Sequence, residues 1–303
     1  MSERSSLETY SRTAERAAKS VIDGYSTSFG AATALLGPSH RSHVRNVYAL
    51  VRVADEIVDG LPSSAGVGPD EVGEMFEDFV AETYRALSRG VSTNLIIHAF
   101  ARTARQTGIG SDLIEPFFAA MRSDLDAESP AGHPAAPGVR CLSAGEHADY
   151  VYGSAEVVGL MCLRIFLHDN PRDDTQLPIL ECGARRLGAA FQNINFLRDL
   201  ADDRDRLGRS YLTEDARLST SARDAWILTI RDQLADAEAA IPLLPYDARL
   251  AVGAATALFA ALIDTIAAAP VERLYRERIR IPGHVKARLL ARSTLGTLRG
   301  RSS

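Results

Sequence analysis

Cysteine is scarce in this chain: Cys141, Cys162 and Cys182 are the only three in 303 residues, and none forms a Cys-x-x-Cys pair. That argues against a disulfide framework and against a zinc site, and it suits a reducing compartment. Positive charge is not in excess. Lys and Arg total 34 against 39 Asp and Glu, for a net charge of −5, so no nucleic-acid partner is expected. No apolar run reaches about 18 residues without a charge, which predicts no transmembrane helix. The longest, 250–270, is interrupted by Asp264 and rich in Ala and Gly. The first ten residues are polar and charged with no apolar stretch behind them, so no signal peptide is expected. Alternating runs long enough for a sheet are missing, and so is any internal repeat of fixed period.

Ala, Leu, Arg and Glu dominate instead, with 46% hydrophobic and 24% charged residues. These values are those of a globular chain, and the residue types favour helix. The periodicity predicts helices over roughly 8–24, 40–59, 69–88, 92–107, 111–122, 144–168, 177–203, 216–241, 246–268 and 283–298. The chain reads as one all-α domain, 1–303, with frayed tails at 1–7 and 297–303. Gly37-Pro38 breaks the chain before the second helix, with Ser39 as its expected cap, and Gly60 with Pro62 ends it. The Pro- and Gly-rich stretch 129–138 reads as a surface loop.

Two of these helices share a peculiarity. Tyr48, Arg52, Asp55 and Asp59 are spaced 4, 3 and 4 apart. On a helix they fall within an arc of roughly 60°. Val47, Leu50, Val51, Val53, Ala54, Ile57 and Val58 surround them. Gln192, Asn195, Asp199 and Asp203, spaced 3, 4 and 4, span roughly 80° among Ala189, Ala190, Phe191, Ile194, Phe196, Leu197 and Leu200. A narrow polar stripe on an apolar cylinder predicts a buried helix facing a polar cavity. In both, carboxylates stand four apart near the helix C-terminus, where the macrodipole and mutual repulsion both oppose them. Something cationic is expected to neutralise them. Carboxylate and amide oxygens suit Mg²⁺, with Mn²⁺ as a substitute, and Mg²⁺ shares its sphere with phosphate oxygens. Two such pairs suit a diphosphate, with Arg52 and Arg198 as fixed phosphate donors.

At these residues the chain resembles the squalene/phytoene synthase family of head-to-head prenyl transferases. Tyr48-x3-Arg52-x2-Asp55-x3-Asp59 is similar to the family's first aspartate motif, and the run Gly188 to Tyr211 to its second. Tyr25-Ser26-Thr27-Ser28-Phe29 resembles an early serine segment whose hydroxyls approach diphosphate. Tyr150 to Gly159 resembles a mid-chain tyrosine signature, and Arg276 to Pro282 a C-terminal basic segment. Within the family the wording is most like actinobacterial members that make phytoene.

The resemblance implies an isoprenoid synthase fold: a single helical bundle around a central cavity. It implies that Asp55, Asp59, Asn195, Asp199 and Asp203 hold Mg²⁺ on a prenyl diphosphate. Ser26, Ser28, Tyr48, Arg52, Gln192, Arg198 and Arg278 would contact diphosphate or the pocket mouth, and Tyr150 would sit near the reacting cation. The implied reaction joins two geranylgeranyl diphosphates through a cyclopropylcarbinyl diphosphate to phytoene, a step of carotenoid biosynthesis that needs no NADPH. The alternatives are the same chemistry on farnesyl diphosphate, giving a squalene-type product, and an inactive scaffold. A cytoplasmic protein docking transiently on the inner face of the membrane is expected, with 273–292 as the contact. Three positions depart from the pattern: Glu156, expected to turn outward or pair with an arginine such as Arg164; Phe259, where a tyrosine is usual; and Thr213 after Tyr211.

Overall fold

The computed structural model describes residues 3–125, 140–205, 209–212, 217–289 and 291, without the side chains of 3–5, 63, 140–141, 202–205 and 209–210. Its helices are α1 (Glu3–Tyr25), α2 (Ser28–Thr33), α3 (Pro38–Val58), α4 (Leu61–Ser64), α5 (Pro69–Arg89), α6 (Leu95–Thr107), α7 (Ser111–Leu125), α8 (Ala144–Val151), α9 (Val157–Leu167), α10 (Leu177–Asp205), α11 (Thr220–Ala240), α12 (Tyr246–Ala268) and α13 (Val271–Leu274). A π turn, Tyr152–Glu156, joins α8 to α9, and 283–289 is helical. The only strands among the described residues are two dipeptides, Arg140–Cys141 (β1) and Arg209–Ser210 (β2), paired in parallel.

Local chemistry sets the helix ends. Pro38 occupies the first turn of α3 behind Gly37, which is the N-cap in place of the expected Ser39. Proline's fixed φ starts the helix two residues early, and the Gly37 amide is held by Asp247 Oδ2 at 2.8 Å. Gly60, at φ +100°, stops α3 just past Asp59. Asn94 caps α6 through Ile96 and Ile97, and Ser143 and Glu146 form a reciprocal capping box on α8. Helix α1 reaches back to Glu3, so 3–7 are not a frayed tail. No Gly or Pro interrupts 3–23, and Tyr10 anchors the helix on the carbonyls of Ser92 and Thr93. The short α2, α4 and α13 have no sequence period long enough to announce them. The predicted loop at 129–138 and the tail at 297–303 lie outside the described residues.

Two apolar cores flank the centre. One joins α3, α5, α6, α7 and α9 around Leu50, Phe76, Phe100, Phe117 and Phe118. The other joins α10, α11 and α12 around Ile194, Leu197, Ile230 and Ile263. Glycines let the halves meet backbone to backbone. A Cβ on Gly159 would stand 2.4 Å from the Ala184 carbonyl oxygen, and one on Gly188 2.5 Å from that of Ala155. The π turn, absent from the predicted continuous helix 144–168, carries Ala155 into this second contact.

Two stretches, Ala144–Leu167 and Tyr246–Ala268, are by length and composition apolar enough to cross a membrane. Both pack into the bundle, with half and 44% of their most apolar windows buried. The charge in the second, Asp264, pairs with Arg231 of α11 at 2.8 Å.

Candidate functional site

A cavity of about 780 Å³ opens between the two cores, near the upper end of the usual range for ligand pockets. Its lining mixes polar and apolar groups. Ser26, Ser28, Tyr48, Arg52, Asp55, Asp59, Gln192, Asn195, Arg198, Asp199 and Arg278 line it together with Arg280 and Lys286. Phe29, Leu36, Val44, Leu163, Phe166, Leu180, Leu244 and Phe259 are among its apolar lining. Every predicted site residue whose side chain is described, Tyr150 included, therefore reaches this one cavity. Asp203 belongs to α10, but its side chain lies outside the described residues.

On α3, Arg52 Nη1 donates to Asp55 Oδ2 at 2.6 Å, and Nη2 donates to Glu56 Oε1. The guanidinium also covers the Tyr25 ring at 4.6 Å. Asp55 keeps 32% of its side-chain surface open, and that surface faces the cavity. Enclosure by protein pushes its carboxyl up to about 7, and neighbouring Asp59 adds to this while Arg52 opposes it. Asp59 closes α3 as its C-cap, its amide returning to the Asp55 carbonyl. Tyr48 stacks on Phe29 at 5.5 Å, and burial raises its phenol above the ordinary value.

On α10, Asp199 is gripped by two arginines. Arg198 Nε reaches Oδ1 at 2.9 Å, and Arg278 Nε, from the segment after α13, reaches the same oxygen at 2.8 Å. Lys286 Nζ approaches Thr27 Oγ1 at 3.3 Å and so ties the 283–289 helix to the α1–α2 junction. Asn195 presents a buried Oδ1 with no hydrogen-bond partner, an acceptor without a donor beside a cavity of carboxylates. That orphaned oxygen, with Asp55, Asp59 and Asp199, fits a hard divalent cation. The described residues contain no cluster of three or more His, Cys, Asp or Glu at metal spacing, but Mg²⁺ typically takes one or two carboxylates and completes its sphere with water and phosphate.

Tyr150, near the end of α8, donates to Asp124 Oδ2 at 2.8 Å. Tyr211 donates to the other oxygen of Asp124 at 3.3 Å. Phe196 stacks on Tyr211 at 4.2 Å, and Tyr150 leans on both rings. Asp124, in the last turn of α7, is buried, with 5% exposure. Its burial is hard to read from sequence because it depends on contacts with residues far along the chain; the one local signal is Met121, one turn earlier, which lines the cavity.

The departures resolve as follows. Glu156 points away from the cavity and pairs with Arg185 of α10 at 2.7 Å, while Arg164 pairs with Asp112. The π turn shifts the register, so the partner comes from the packed helix. Phe259 stacks on Phe191 at 3.8 Å in the cavity wall. Thr213 lies outside the described residues. Phe29, Leu163 and Phe191 line the cavity, and Leu160 does not. His40 is 11% exposed and bonds Asp247 Oδ2 at 2.8 Å, because Asp247, in the first turn of α12, reaches the start of α3. His43 is half-buried and reaches Thr103 Oγ1 at 2.9 Å.

Comparison with known proteins converges on one group. A sequence model described as Squalene/phytoene synthase matches residues 22–217, a span that holds both stripes, Tyr150 and Tyr211. The 15-cis-phytoene synthase of Paracoccus sp. is 32% identical over 197 residues, covering 63% of this chain and 57% of that one. Phytoene synthase 3, chloroplastic, of Zea mays is 28% identical over 294 residues, covering 90% and 64%. The matches thus span somewhat more than half the length of these curated relatives. Among solved structures, a dehydrosqualene synthase in complex with ligand superposes with a TM-score of 0.74 at 19% identity, covering 97% of this chain and 99% of that one. Squalene synthase HpnC from Alicyclobacillus acidocaldarius gives 0.66 at 16%, covering 89% and 97%. The fold is the all-α isoprenoid synthase fold that the resemblance implied, and with well over half of its residues matched the chain belongs to the squalene/phytoene synthase family.

Proposed function

We propose that the protein is a phytoene synthase, a prenyltransferase that joins two geranylgeranyl diphosphates head to head within one domain. One observation carries this reading: polar stripes on α3 (Tyr48, Arg52, Asp55, Asp59) and α10 (Gln192, Asn195, Asp199) face a single cavity that also has an extensive apolar lining. Such a space takes a charged head at one part and a hydrocarbon tail in the other. Relatives called phytoene synthases support the choice of substrate.

Asp55, Asp59, Asn195, Asp199 and Asp203 are the residues that would hold Mg²⁺ or Mn²⁺. Bound there, the cations neutralise a diphosphate and ease its departure. The chain's own groups do the rest. Arg52, Arg198 and Arg278 bind diphosphate oxygens, and Ser26, Ser28, Tyr48 and Gln192 shape the mouth around them. Apolar walls keep water from the allylic cation left behind. Tyr150, Phe196 and Tyr211 offer it aromatic surface, where cation–π attraction is strongest out of water. The work is set in the cytoplasm, at the inner membrane face where a C40 hydrocarbon can leave.

The test is incubation with geranylgeranyl diphosphate and Mg²⁺, without NADPH, followed by hydrocarbon analysis. A C40 product that disappears in Asp55→Ala and Asp199→Ala is expected. A C30 product from farnesyl diphosphate alone would move the substrate. A folded protein turning over neither would overturn the reading in favour of a scaffold.

A further inference from the structure

Asp124 is an expensive residue to keep where it is. It sits in the last turn of α7, where the helix dipole disfavours an anion, and it is only 5% exposed. It is not among the residues that line the cavity. Two of its contacts explain its retention: it accepts one hydrogen bond from Tyr150 at 2.8 Å and one from Tyr211 at 3.3 Å, each on a different oxygen. Both phenols do line the cavity.

We propose that Asp124 is a positioning residue that fixes the direction of two O–H dipoles. With their hydrogens committed to the carboxylate behind them, the Tyr150 and Tyr211 oxygens turn their lone pairs toward the cavity. A phenol free to rotate presents its hydrogen or its oxygen; these two present only the oxygen. Negative dipole ends set in advance beside an apolar space stabilise positive charge without reorganisation, and their effect is larger there than in water. The carboxylate's charge acts in the same direction, and it already bears on Asp55 across the site. Ring stacking holds the geometry, since Tyr211 lies flat on Phe196 at 4.2 Å and Tyr150 stands 5.2 Å from Tyr211. Asp124 therefore selects for a cation without touching it.

This inference rests on the reading of the cavity as a prenyl diphosphate site. The experiment compares two probes by calorimetry, each added with Mg²⁺ and inorganic diphosphate: a prenyl-substituted tertiary ammonium and its uncharged isostere with carbon in place of nitrogen. Wild-type protein is expected to prefer the ammonium. The preference should fall at least about tenfold in Asp124→Asn, which keeps the shape and loses the charge. It should also fall in Tyr150→Phe, which breaks the bond from the other side, and the double variant should lose little more than either alone. Melting temperatures of the variants check that each is folded. An unchanged preference in Asp124→Asn, or an equal weakening of both probes, overturns the proposal and leaves a packing role. Wild-type protein that binds neither probe and converts no prenyl diphosphate overturns the reading of the cavity, and this inference falls with it.

Discussion

Gly188 offers a direct test of how the two halves meet. It lies one turn before Gln192 on the stripe of α10, and it lines the cavity. A Cβ there would stand 2.5 Å from the Ala155 oxygen, 2.9 Å from the Ala155 carbonyl carbon and 3.0 Å from the Glu156 Cα. All three are backbone atoms, so no side chain can swing aside. Restoring the 3.4 Å of an ordinary contact requires α10 and the π turn to part by about 0.9 Å. Overpacking costs about 1–3 kcal/mol, and a rigid partner puts Gly188→Ala toward the upper figure. At about 2 °C per kcal/mol for a chain of this size, the melting temperature should fall by ~4–6 °C. Asn195 and Asp199 move with α10, and a displacement near 1 Å can cost on the order of 100-fold in rate. The control is Gly73→Ala in α5, where nothing lies within 4 Å of the added Cβ. Removing a glycine from a helix interior there should stabilise the protein by ~0.5–1 kcal/mol. Calorimetric melting of both variants decides. A Gly188→Ala protein that melts with the wild type would refute the backbone-contact argument.

Two further outcomes follow. Asp55 holds its proton up to about 7 in the fold against 3.8 as an ordinary carboxyl. The folded state thus binds more protons than the unfolded between those values, so without metal stability declines as pH rises from about 4 to 7. Because a third of the side chain is open, the change is on the order of 1–2 kcal/mol. Melting in EDTA across this range should show the decline, Asp55→Asn should flatten it, and Mg²⁺ should stabilise more at pH 8 than at pH 5; a wild-type profile as flat as that of Asp55→Asn refutes the assignment. Burial pushes the Cys162 thiol up to about 12, whereas Cys182 is exposed. Iodoacetamide at pH 8 should label Cys182 well before Cys162, which should react at least ~100-fold more slowly by peptide mapping; equal rates would contradict the buried wall position.

Much of this site is legible in sequence because helices advertise their faces. Tyr48, Arg52, Asp55 and Asp59 are read from spacing alone, and they emerge on one cavity-facing stripe. The same holds for Gln192, Asn195 and Asp199. Asp124 was not legible, since its role comes from a contact with Tyr150 twenty-six residues away. Nor was the pairing of Glu156 with Arg185, which depends on a π turn that residue pattern does not encode. The burial of His40 is hidden for a related reason: an N-terminal helix position looks solvent-facing until a carboxylate from another helix, here Asp247 of α12, reaches it.

Helix α3 also acts as a ruler. Its far end is pinned, with His40 held by Asp247 and set edge-on against Phe166 at 5.6 Å. Its near end carries Asp55. Eleven residues separate Val44 from Asp55, and at 1.5 Å per residue that is about 16 Å of rigid rod. A molecule anchored by its head at Asp55 meets Val44 and Phe166 after a fixed run that the backbone cannot stretch. A change in the length of tail accepted must therefore come from the volume of side chains such as Leu36, Val44, Phe166 and Leu180, leaving the carboxylates in place.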